Sequence, residues 1–406
     1  MNTANLGLAV LAFINLFNYL DRYVVSALVE SLKHSEIALT DADLGFLMTG
    51  FLLVYMLAAP VFGVLGDRNA RPRLIAFGVG CWSLATAASG FAGSYSALLA
   101  ARAMVGIGEA AYGTIAPSLI ADYFPAGQRG RVMAFFFCAI PVGSALGYVV
   151  GGLVDAHFGW RAAFFVAGAP GLALAALCLL LRDPPRGAHD APRTAAVELP
   201  QAPQATYRRL LHNRPYVLTV LGYAAYTFAM GGLAFWMPAF LERARGIPRA
   251  AATVSFGEIV VITGFAGTFA GGWLGDYCAK YSKQAFLWLS ALATLAAAPF
   301  AWVALTTGSH SLYLACMVAA QLLMFLSTGP INAAIVNLVA PIERASAVAL
   351  SIFTIHVLGD AVSPYLIGKL SDAASLAQAV QVVPVAVVVS GLLWFCAARS
   401  QQVARA

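Results

Sequence analysis

The chain has 406 residues, of which 61% are hydrophobic and 10% are charged, and its mean hydropathy is +0.79. Soluble domains carry about 25% charged residues, so this composition excludes a soluble globular protein and indicates a polytopic membrane protein. The formal net charge of +6 comes from basic residues scattered through short loops, unlike the clustered pattern of a nucleic-acid-binding surface. The six cysteines have no CxxC spacing, and we expect no disulfide framework, metal site or cofactor.

Apolar stretches of about 20 residues or more, the length that crosses a bilayer, occur twelve times along the chain. They cover residues 6–30, 42–66, 73–93, 96–122, 130–155, 161–181, 214–240, 252–277, 285–306, 311–339, 346–370 and 377–398. No basic region precedes the first stretch, so we expect a retained span and not a signal peptide.

A polar, proline-rich stretch, residues 182–211, divides the twelve spans into two sets of six. We interpret it as a flexible cytoplasmic linker. The predicted organisation is therefore an N-terminal six-helix bundle (residues 1–181), the linker, and a C-terminal six-helix bundle (residues 212–406).

The basic residues predict the orientation of the spans. With the N-terminus inside, sixteen of the 24 Lys and Arg residues fall on the cytoplasmic side and six on the outer side, while Arg22 and Arg102 lie within spans. This positive-inside bias predicts that both termini are cytoplasmic. We expect a multi-pass protein of the inner (plasma) membrane.

The two halves of the chain repeat each other at the end of the second and eighth spans. Residues 63–68 read GVLGDR, and residues 272–277 read GWLGDY. A second repeat opens the fifth and eleventh spans, at residues 128–131 and 343–346. Two matches at nearly equal offset favour duplicated bundles. The sequence thus predicts an all-α membrane protein with two pseudo-symmetric six-helix bundles.

Two adjacent charges, Asp21 and Arg22, lie inside the first span. Charged side chains at such positions cost several kcal/mol unless they face a protein interior or a water-filled path, and they commonly mark transport pathways. We therefore predict a transport protein with this pair at its working site. The alternative is that the pair only fixes helix packing.

The fourth span carries Arg102 and Glu109. At 1.5 Å per residue, Glu109 lies about 20 Å from the outer end of its span, and Arg22 lies about 22 Å from the inner end of the first span. In a bilayer core of about 30 Å these depths overlap. We therefore predict that Arg22 pairs with Glu109 and that Asp21, about 100° away around the helix, titrates separately. The alternative is that Arg22 neutralises Asp21.

The glycine-acid-arginine motif after the second span is the loop signature of the major facilitator superfamily, which the whole chain resembles in span count, linker and repeat. Its glycines allow close helix approach, and its charges can interact with helix ends. We predict that it acts as a gate latch and does not contact substrate. The predicted gating residues are Asp67, Arg68, Arg71, Arg129, Gly275, Asp276, Arg344 and Asp360.

Glycines recur with near-helical spacing in the fifth span, at Gly143, Gly147, Gly151 and Gly152. Four-residue spacing places them on one face, which favours close helix packing. A hinge or a tight seal is the alternative.

Polar and aromatic residues mark the second half. Helix spacing places His356 and Asp360 on one face, where they can form a hydrogen bond. The seventh span carries a stripe of aromatic residues that includes Tyr223, Tyr226 and Trp236. Such a stripe more often serves helix packing than ligand binding, and that alternative stays open here. The predicted substrate-binding residues are Asn18, Tyr19, Arg22 and Glu109 in the first half, and Tyr223, Tyr226, Trp236, Asn332 and His356 in the second.

Three stretches narrow the resemblance within the superfamily. Residues 18–22 read NYLDR, residues 106–110 read GIGEA with Pro117 and Asp122 following, and residues 356–364 read HVLGDAVSP. Together they resemble the Spinster branch. The resemblance implies transport of lysophospholipids or sphingolipid phosphates, often with protons.

Carried over to this chain, the resemblance implies that Asp21 is the proton-responsive acid. Our own prediction assigns proton coupling first to Asp21 and second to Glu109. Arg22 and Glu109 would bind each other or a substrate headgroup. We predict a monomeric, proton-coupled transporter of an amphipath that works by alternating access, with membrane lipids around it and no nucleic acid partner.

Three alternatives stay open. The first is a proton-coupled transporter of small organic anions or drugs, and the second is a membrane sensor that binds without carrying. An enzyme is the third and is disfavoured, because the sequence has no GxSxG elbow, metal-ligand cluster or phosphate-binding loop.

Overall fold

A computed structural model describes residues 3–124, 132, 135–185, 188, 203–282, 284–339 and 344–403. The regular elements in this part of the chain are all helical. They are α1 (Thr3–Ala27), α2 (Val29–Lys33), α3 (Asp41–Arg68), α4 (Arg71–Gly90), α5 (Tyr95–Tyr123), α6 (Ala139–Phe158), α7 (Trp160–Cys178), α8 (Pro203–His212), α9 (Arg214–Arg245), α10 (Arg249–Ala279), α11 (Ala285–Thr306), α12 (His310–Leu326), α13 (Thr328–Asn337), α14 (Arg344–Ile355), a π-helical turn (His356–Asp360), α15 (Ser363–Ala373), α16 (Leu376–Ala379) and α17 (Val382–Val403).

Ten helical stretches in the described residues are long and apolar enough to cross a membrane. The helices α4 and α5, of 20 and 29 residues, lie at two further predicted spans. Some spans are built from more than one element. The tenth consists of α12 and α13, and the eleventh consists of α14, the π-helical turn and α15.

Helix starts follow from local capping chemistry. The Thr40 hydroxyl accepts a hydrogen bond from the Asp43 backbone N–H, and the Asp43 carboxylate accepts one from the Thr40 N–H, which makes a capping box for α3. Ser94 and Ser309 cap α5 and α12 in the simpler way, each accepting from the backbone N–H three residues later. Such caps satisfy N–H groups that a helix start leaves without partners.

The chain forms two compact units. The first contains Met1–Ala195 and Leu241–Gly257, and the second contains Ala196–Phe240 and Glu258–Ala406. In the first unit α1 packs on α6, α3 packs on α5, and α4 packs on both α5 and α7. In the second unit α11 packs on α12 and α17. The turn between α9 and α10 thus belongs to the first unit, although most of both helices belongs to the second.

The glycines of α6 let α1 approach closely, as the packing interpretation of the sequence predicts. A Cβ atom added at Gly147 would lie 2.6 Å from the Leu20 carbonyl oxygen and 2.9 Å from the Tyr23 Cβ. Gly143 and Gly151 also face α1, whereas Gly152 faces Thr253 at the start of α10. Because α1 carries Asp21 and Arg22, this stripe of small residues sets the position of both charges.

Replacing Gly147 with alanine is expected to lower the free energy of unfolding by about 1–3 kcal/mol, since the new methyl group meets backbone atoms that cannot rotate away. Chemical unfolding in detergent micelles measures the change. Gly272→Ala in α10 is the matched control, because a Cβ there has no described atom within 4 Å. An equal loss of stability in both variants would contradict the prediction.

The repeat motif has the same packing role in each unit. A Cβ at Gly66 would lie 2.9 Å from the Ile115 side chain of α5, and one at Gly275 would lie 3.1 Å from Phe286 of α11. Both glycines therefore allow the end of one helix to approach a neighbour within the same unit.

Candidate functional site

Helices α1 and α5 bring Arg22 and Glu109 together in the first unit, as the helix depths predict. The Arg22 Nη2 atom lies 2.7 Å from Glu109 Oε2, and the Arg22 Nε lies 3.3 Å from the same oxygen. The Glu109 side chain is fully buried, while 14% of the Arg22 side chain remains exposed. A buried carboxylate held by two N–H groups of one guanidinium is a strong, charge-assisted contact.

The neighbouring acid, Asp21, pairs with a different arginine. Arg102 Nη1 donates to Asp21 Oδ1 over 3.0 Å, and the Thr86 hydroxyl donates to the other carboxylate oxygen. Asp21 and Arg102 are 0% and 1% exposed, so this pair is buried more completely than the Arg22 pair. The alternative in which Arg22 neutralises Asp21 is therefore not the observed pairing.

Sequence reasoning missed Arg102 as the partner of Asp21. A usable signal was present, since Arg102 and Glu109 are seven residues apart and seven residues make almost two helical turns. The two charges of α5 therefore lie on one face, which allows both to meet the adjacent charges of α1. The observed arrangement is two parallel ion pairs between the same two helices.

Aromatic rings surround the Arg22 guanidinium. Its Cζ atom lies 5.0 Å from the Tyr19 ring centroid, 5.1 Å from that of Phe51 and 5.5 Å from that of Tyr55. The Phe51 ring also lies 5.8 Å from Arg102 Cζ. One ring thus contacts both cations, and cation–π attraction adds to the two ion pairs.

Two buried polar atoms beside the Arg22–Glu109 pair have no hydrogen-bond partner among the described residues. They are Glu109 Oε1 and Asn18 Nδ2, and Asn18 lies one helical turn before Arg22. One is an acceptor and the other a donor. Because an unsatisfied buried polar group costs about 1–3 kcal/mol, such a pair of atoms favours a bound water or a polar ligand group.

Two predicted substrate contacts of the second unit, Tyr226 and Trp236, are buried and bond backbone carbonyls. The Trp236 indole is 0% exposed and donates to the Pro364 carbonyl over 2.9 Å, and the Tyr226 hydroxyl, in a residue 4% exposed, donates to the Met324 carbonyl. Each side chain therefore uses its polar hydrogen in a bond to the backbone. This burial supports the packing alternative for these two residues.

The other second-unit residues lie at two places. Asn332 Nδ2 contacts the Tyr223 hydroxyl at 3.3 Å and donates to the Thr328 carbonyl at 2.8 Å. His356 Nδ1 lies 2.8 Å from Asp360 Oδ1, and both side chains are about one quarter exposed. This contact matches the hydrogen bond that the four-residue spacing predicts.

The His356–Asp360 contact spans the π-helical turn that interrupts the eleventh span. Gly359 in this turn has φ −110° and ψ −108°, outside the helical region. A Cβ there would overlap the Thr227 hydroxyl of α9 and approach the Ala224 carbonyl. Single π-helical turns inside longer helices are frequent at functional sites, and here the turn places a histidine and an acid together.

Arg71, one of the predicted gating residues, is held by several ion pairs and hydrogen bonds. It is 2% exposed, and its guanidinium bonds Asp122 Oδ2 at 2.5 Å, Asp183 Oδ1 at 2.8 Å and the Pro184 carbonyl at 2.7 Å. It therefore ties the start of α4 to the end of α5 and to the chain that follows α7. Arg68 and Asp276 are exposed. All of Arg129, and the side chains of Asp67 and Arg344, lie outside the described part of the chain.

Replacing Arg71 with glutamine is expected to destabilise the protein by about 3 kcal/mol, because the buried Asp122 loses its charged partner. The ion pair with Asp183, which is an exposed residue, contributes less than about 1 kcal/mol of this loss. The unfolding midpoint in detergent measures the effect. Arg73→Gln, two residues away and exposed, is the matched control and should change stability by less than about 0.5 kcal/mol. Similar losses in both variants would refute the assignment.

Comparison with known proteins gives consistent results. Residues 11–364 match the family model described as Major Facilitator Superfamily. The chain is 36% identical over 386 residues to Protein spinster homolog 1 of Xenopus tropicalis, covering 89% of this chain and 72% of that protein. It is 38% identical over 385 residues to Protein spinster homolog 1 of Homo sapiens, covering 90% and 72%.

Solved structures agree on the fold. The crystal structure of a bacterial homologue of the human lysosomal transporter Spinster, in an inward-facing and unoccupied conformation, superposes with a TM-score of 0.89 at 23% identity over 98% of both chains. A D-xylose–proton symporter superposes with a TM-score of 0.73 at 16% identity over 96% of both chains. The predicted all-α, twelve-helix membrane fold is thereby confirmed.

Proposed function

Because the chain belongs to the Spinster family of the major facilitator superfamily, and is a membrane transporter and not an enzyme, we propose that it carries an amphipathic lipid in exchange for, or together with, protons. The proposed substrate is a lysophospholipid or a sphingolipid-like molecule. We propose that it works by alternating access in the inner (plasma) membrane, as a monomer with both termini in the cytoplasm.

The observation that carries this proposal is the pair of ion pairs between α1 and α5. Two acids and two arginines balance each other, and they lie in spans where charges are expensive. Adding one proton to either acid leaves one guanidinium without a counter-ion. That uncompensated charge favours an anionic group, so proton uptake and binding of a headgroup become linked.

The two acids have different surroundings, and this supports different roles. Asp21 has both carboxylate oxygens bonded, to Arg102 and to Thr86. Glu109 has one oxygen bonded to Arg22 and one without a partner among the described residues. We assign proton coupling first to Asp21, with Glu109 second, and headgroup binding to Arg22 with Asn18 and Glu109.

Tyr19 belongs to the same proposed headgroup site through its ring contact with Arg22. Asn332 and Tyr223 are retained as proposed polar contacts, since Asn332 is exposed and bonds the Tyr223 hydroxyl. His356 remains a proposed substrate contact, and Asp360, its partner across the π-helical turn, a proposed gating residue.

Uptake into liposomes tests the function directly. The purified protein should accumulate a labelled lysophospholipid or sphingoid phosphate when a proton gradient is imposed, and a protonophore should abolish this accumulation. Accumulation of organic anions or drugs in place of lipids would favour the alternative substrate class. Binding without uptake or counterflow would favour a sensor. A thermal-shift screen of the same ligands shows which of them stabilise the folded protein.

A further inference from the structure

The short helix α8 (Pro203–His212) comes directly before the α9 span and belongs to the second unit. It packs on α14 of the same unit. Its Leu210 is 1% exposed and lies in a hydrophobic cluster with residues of α9, α13 and α14. The other buried members of this cluster are Tyr216, Val220, Ile335 and Ala347. One apolar side chain thus fixes α8 on the core of its own unit.

Asn213 joins α8 to α9 and bonds on both sides. Its backbone N–H donates to the carbonyls of Arg209 and Leu210, at 3.0 and 3.1 Å, which closes α8. Its side-chain Nδ2 donates to the Leu338 carbonyl at 2.9 Å, and its Oδ1 accepts from the Tyr216 backbone N–H at 3.2 Å. This second bond caps the start of α9. The position of α8 beside the span is therefore well defined.

The outer surface of α8 combines apolar and basic side chains. Successive residues are about 100° apart around a helix. Tyr207 and Leu211 therefore lie about 60° and 100° from Leu210, and they are 39% and 62% exposed. Arg208 and His212 lie about 160° from Leu210, on the side away from the protein core. Two exposed apolar side chains thus lie between the buried side of α8 and its basic side.

The charge around α8 has one sign. Residues 199–241 contain three arginines and one histidine but no aspartate or glutamate, and all four basic residues are exposed. They are Arg208, Arg209, His212 and Arg214. Residues 215–241 carry no charged side chain, so Arg214 is the last charge before the apolar part of the span. This places α8 next to the membrane surface. A basic helix with apolar side chains on one side is typical of helices that lie in the membrane interface.

We propose that α8 is a binding surface for anionic phospholipid in the adjacent leaflet. Tyr207 and Leu211 contact the glycerol and acyl-chain region, and the guanidinium groups of Arg208 and Arg214 bind headgroup phosphates. Guanidinium matches the geometry of a phosphate and forms paired hydrogen bonds with it. The predicted orientation puts this end of α9 in the cytoplasm, where anionic lipids attract basic segments. The proposal depends neither on the transported substrate nor on protons.

Quenching by brominated lipids tests this proposal. Leu211→Cys, in a background without the six native cysteines, carries a bimane fluorophore, and the protein is placed in phosphatidylcholine nanodiscs. At equal mole fraction, brominated phosphatidylglycerol should quench this bimane more than brominated phosphatidylcholine, through a local enrichment of about tenfold. Arg208→Gln combined with Arg214→Gln should reduce the enrichment below about twofold.

Two controls separate a local site from a general effect of charge. Arg73→Gln combined with Arg399→Gln removes the same charge from exposed positions elsewhere and should leave the enrichment within about twofold of its original value. A second reporter, Leu84→Cys in α4, is 61% exposed and lies in the uncharged stretch 74–101. Both brominated lipids should quench it equally.

Three outcomes would overturn the proposal. Equal quenching of the Leu211→Cys reporter by the two lipids would show that α8 has no preference for anionic headgroups. A preference that survives in the folded double variant would exclude the two arginines as its cause. Absence of quenching by either lipid would show that water or a protein segment covers α8 in place of the bilayer.

Ionic strength gives a check that needs no arginine variant and so remains valid if the double variant fails to fold. Raising the salt concentration from about 0.1 M to about 1 M shortens the Debye length from about 10 Å to about 3 Å. The preference of the Leu211→Cys reporter for phosphatidylglycerol should then fall below about twofold. A preference that is independent of salt would contradict binding through the arginine charges.

Discussion

Replacement of Asp21 by asparagine is expected to reduce proton-driven uptake to the level of protein-free liposomes. The amide keeps the size of the side chain but cannot lose or gain a proton near neutral pH. It also leaves Arg102, which is 1% exposed, without its carboxylate partner. Uptake driven by an imposed proton gradient measures this effect, and counterflow of substrate without a gradient should persist in the same variant.

The control for this experiment is Glu258→Gln, which removes an exposed acid from α10. It should leave both uptake and counterflow unchanged. Normal gradient-driven uptake in the Asp21→Asn variant would remove Asp21 from the coupling role and transfer that role to Glu109. The corresponding Glu109→Gln variant would then be the one to lose gradient dependence.

The second large effect is expected from Arg22. Replacing it with glutamine should destabilise the protein by about 3–5 kcal/mol, because Glu109 is fully buried and loses its charged partner. Glu109→Gln should lower the free energy of unfolding by less, because the Arg22 side chain is partly exposed to solvent and keeps its aromatic neighbours. The double variant should recover most of the stability while remaining inactive in transport, because the headgroup-binding guanidinium is still absent.

Unfolding midpoints of the four proteins form a double-mutant cycle that isolates the interaction of the two side chains. A coupling free energy near zero would contradict the buried ion pair. Full transport by the double variant would show that the pair serves packing alone, which is the alternative that the sequence leaves open.

Much of the fold is predictable from local properties of the sequence. Twenty-residue apolar stretches are long enough for a bilayer wherever they occur, and the glycine spacing in α6 marks a face for close packing. The depth of a residue along its helix follows from a constant rise, and this is why the Arg22–Glu109 pair is predictable from two spans alone.

Residues whose roles depend on neighbours in space were harder to assign. Trp236 and Tyr226 lie in an aromatic stripe that is compatible with a ligand site, but their polar atoms bond carbonyls of Pro364 and Met324, far away in the sequence. In the sequence, Asp41 and Asp155 look like ordinary acids near helix ends. The structure shows that Arg243 bonds Asp41 and that Arg249 bonds Asp155. A periodic pattern within one segment carries no information about partners that are distant in the sequence.

By itself, the sequence determined that this is a polytopic membrane protein, how many times it crosses the bilayer, and that charge is retained inside the first and fourth spans. Hydropathy and the cost of charge in lipid are properties of each segment alone, so they can be read without coordinates. Only the tertiary structure decided that Asp21 pairs with Arg102 and not with Arg22. That choice depends on how α1 and α5 are rotated and shifted against each other, and the packing of both helices against their neighbours sets this relation.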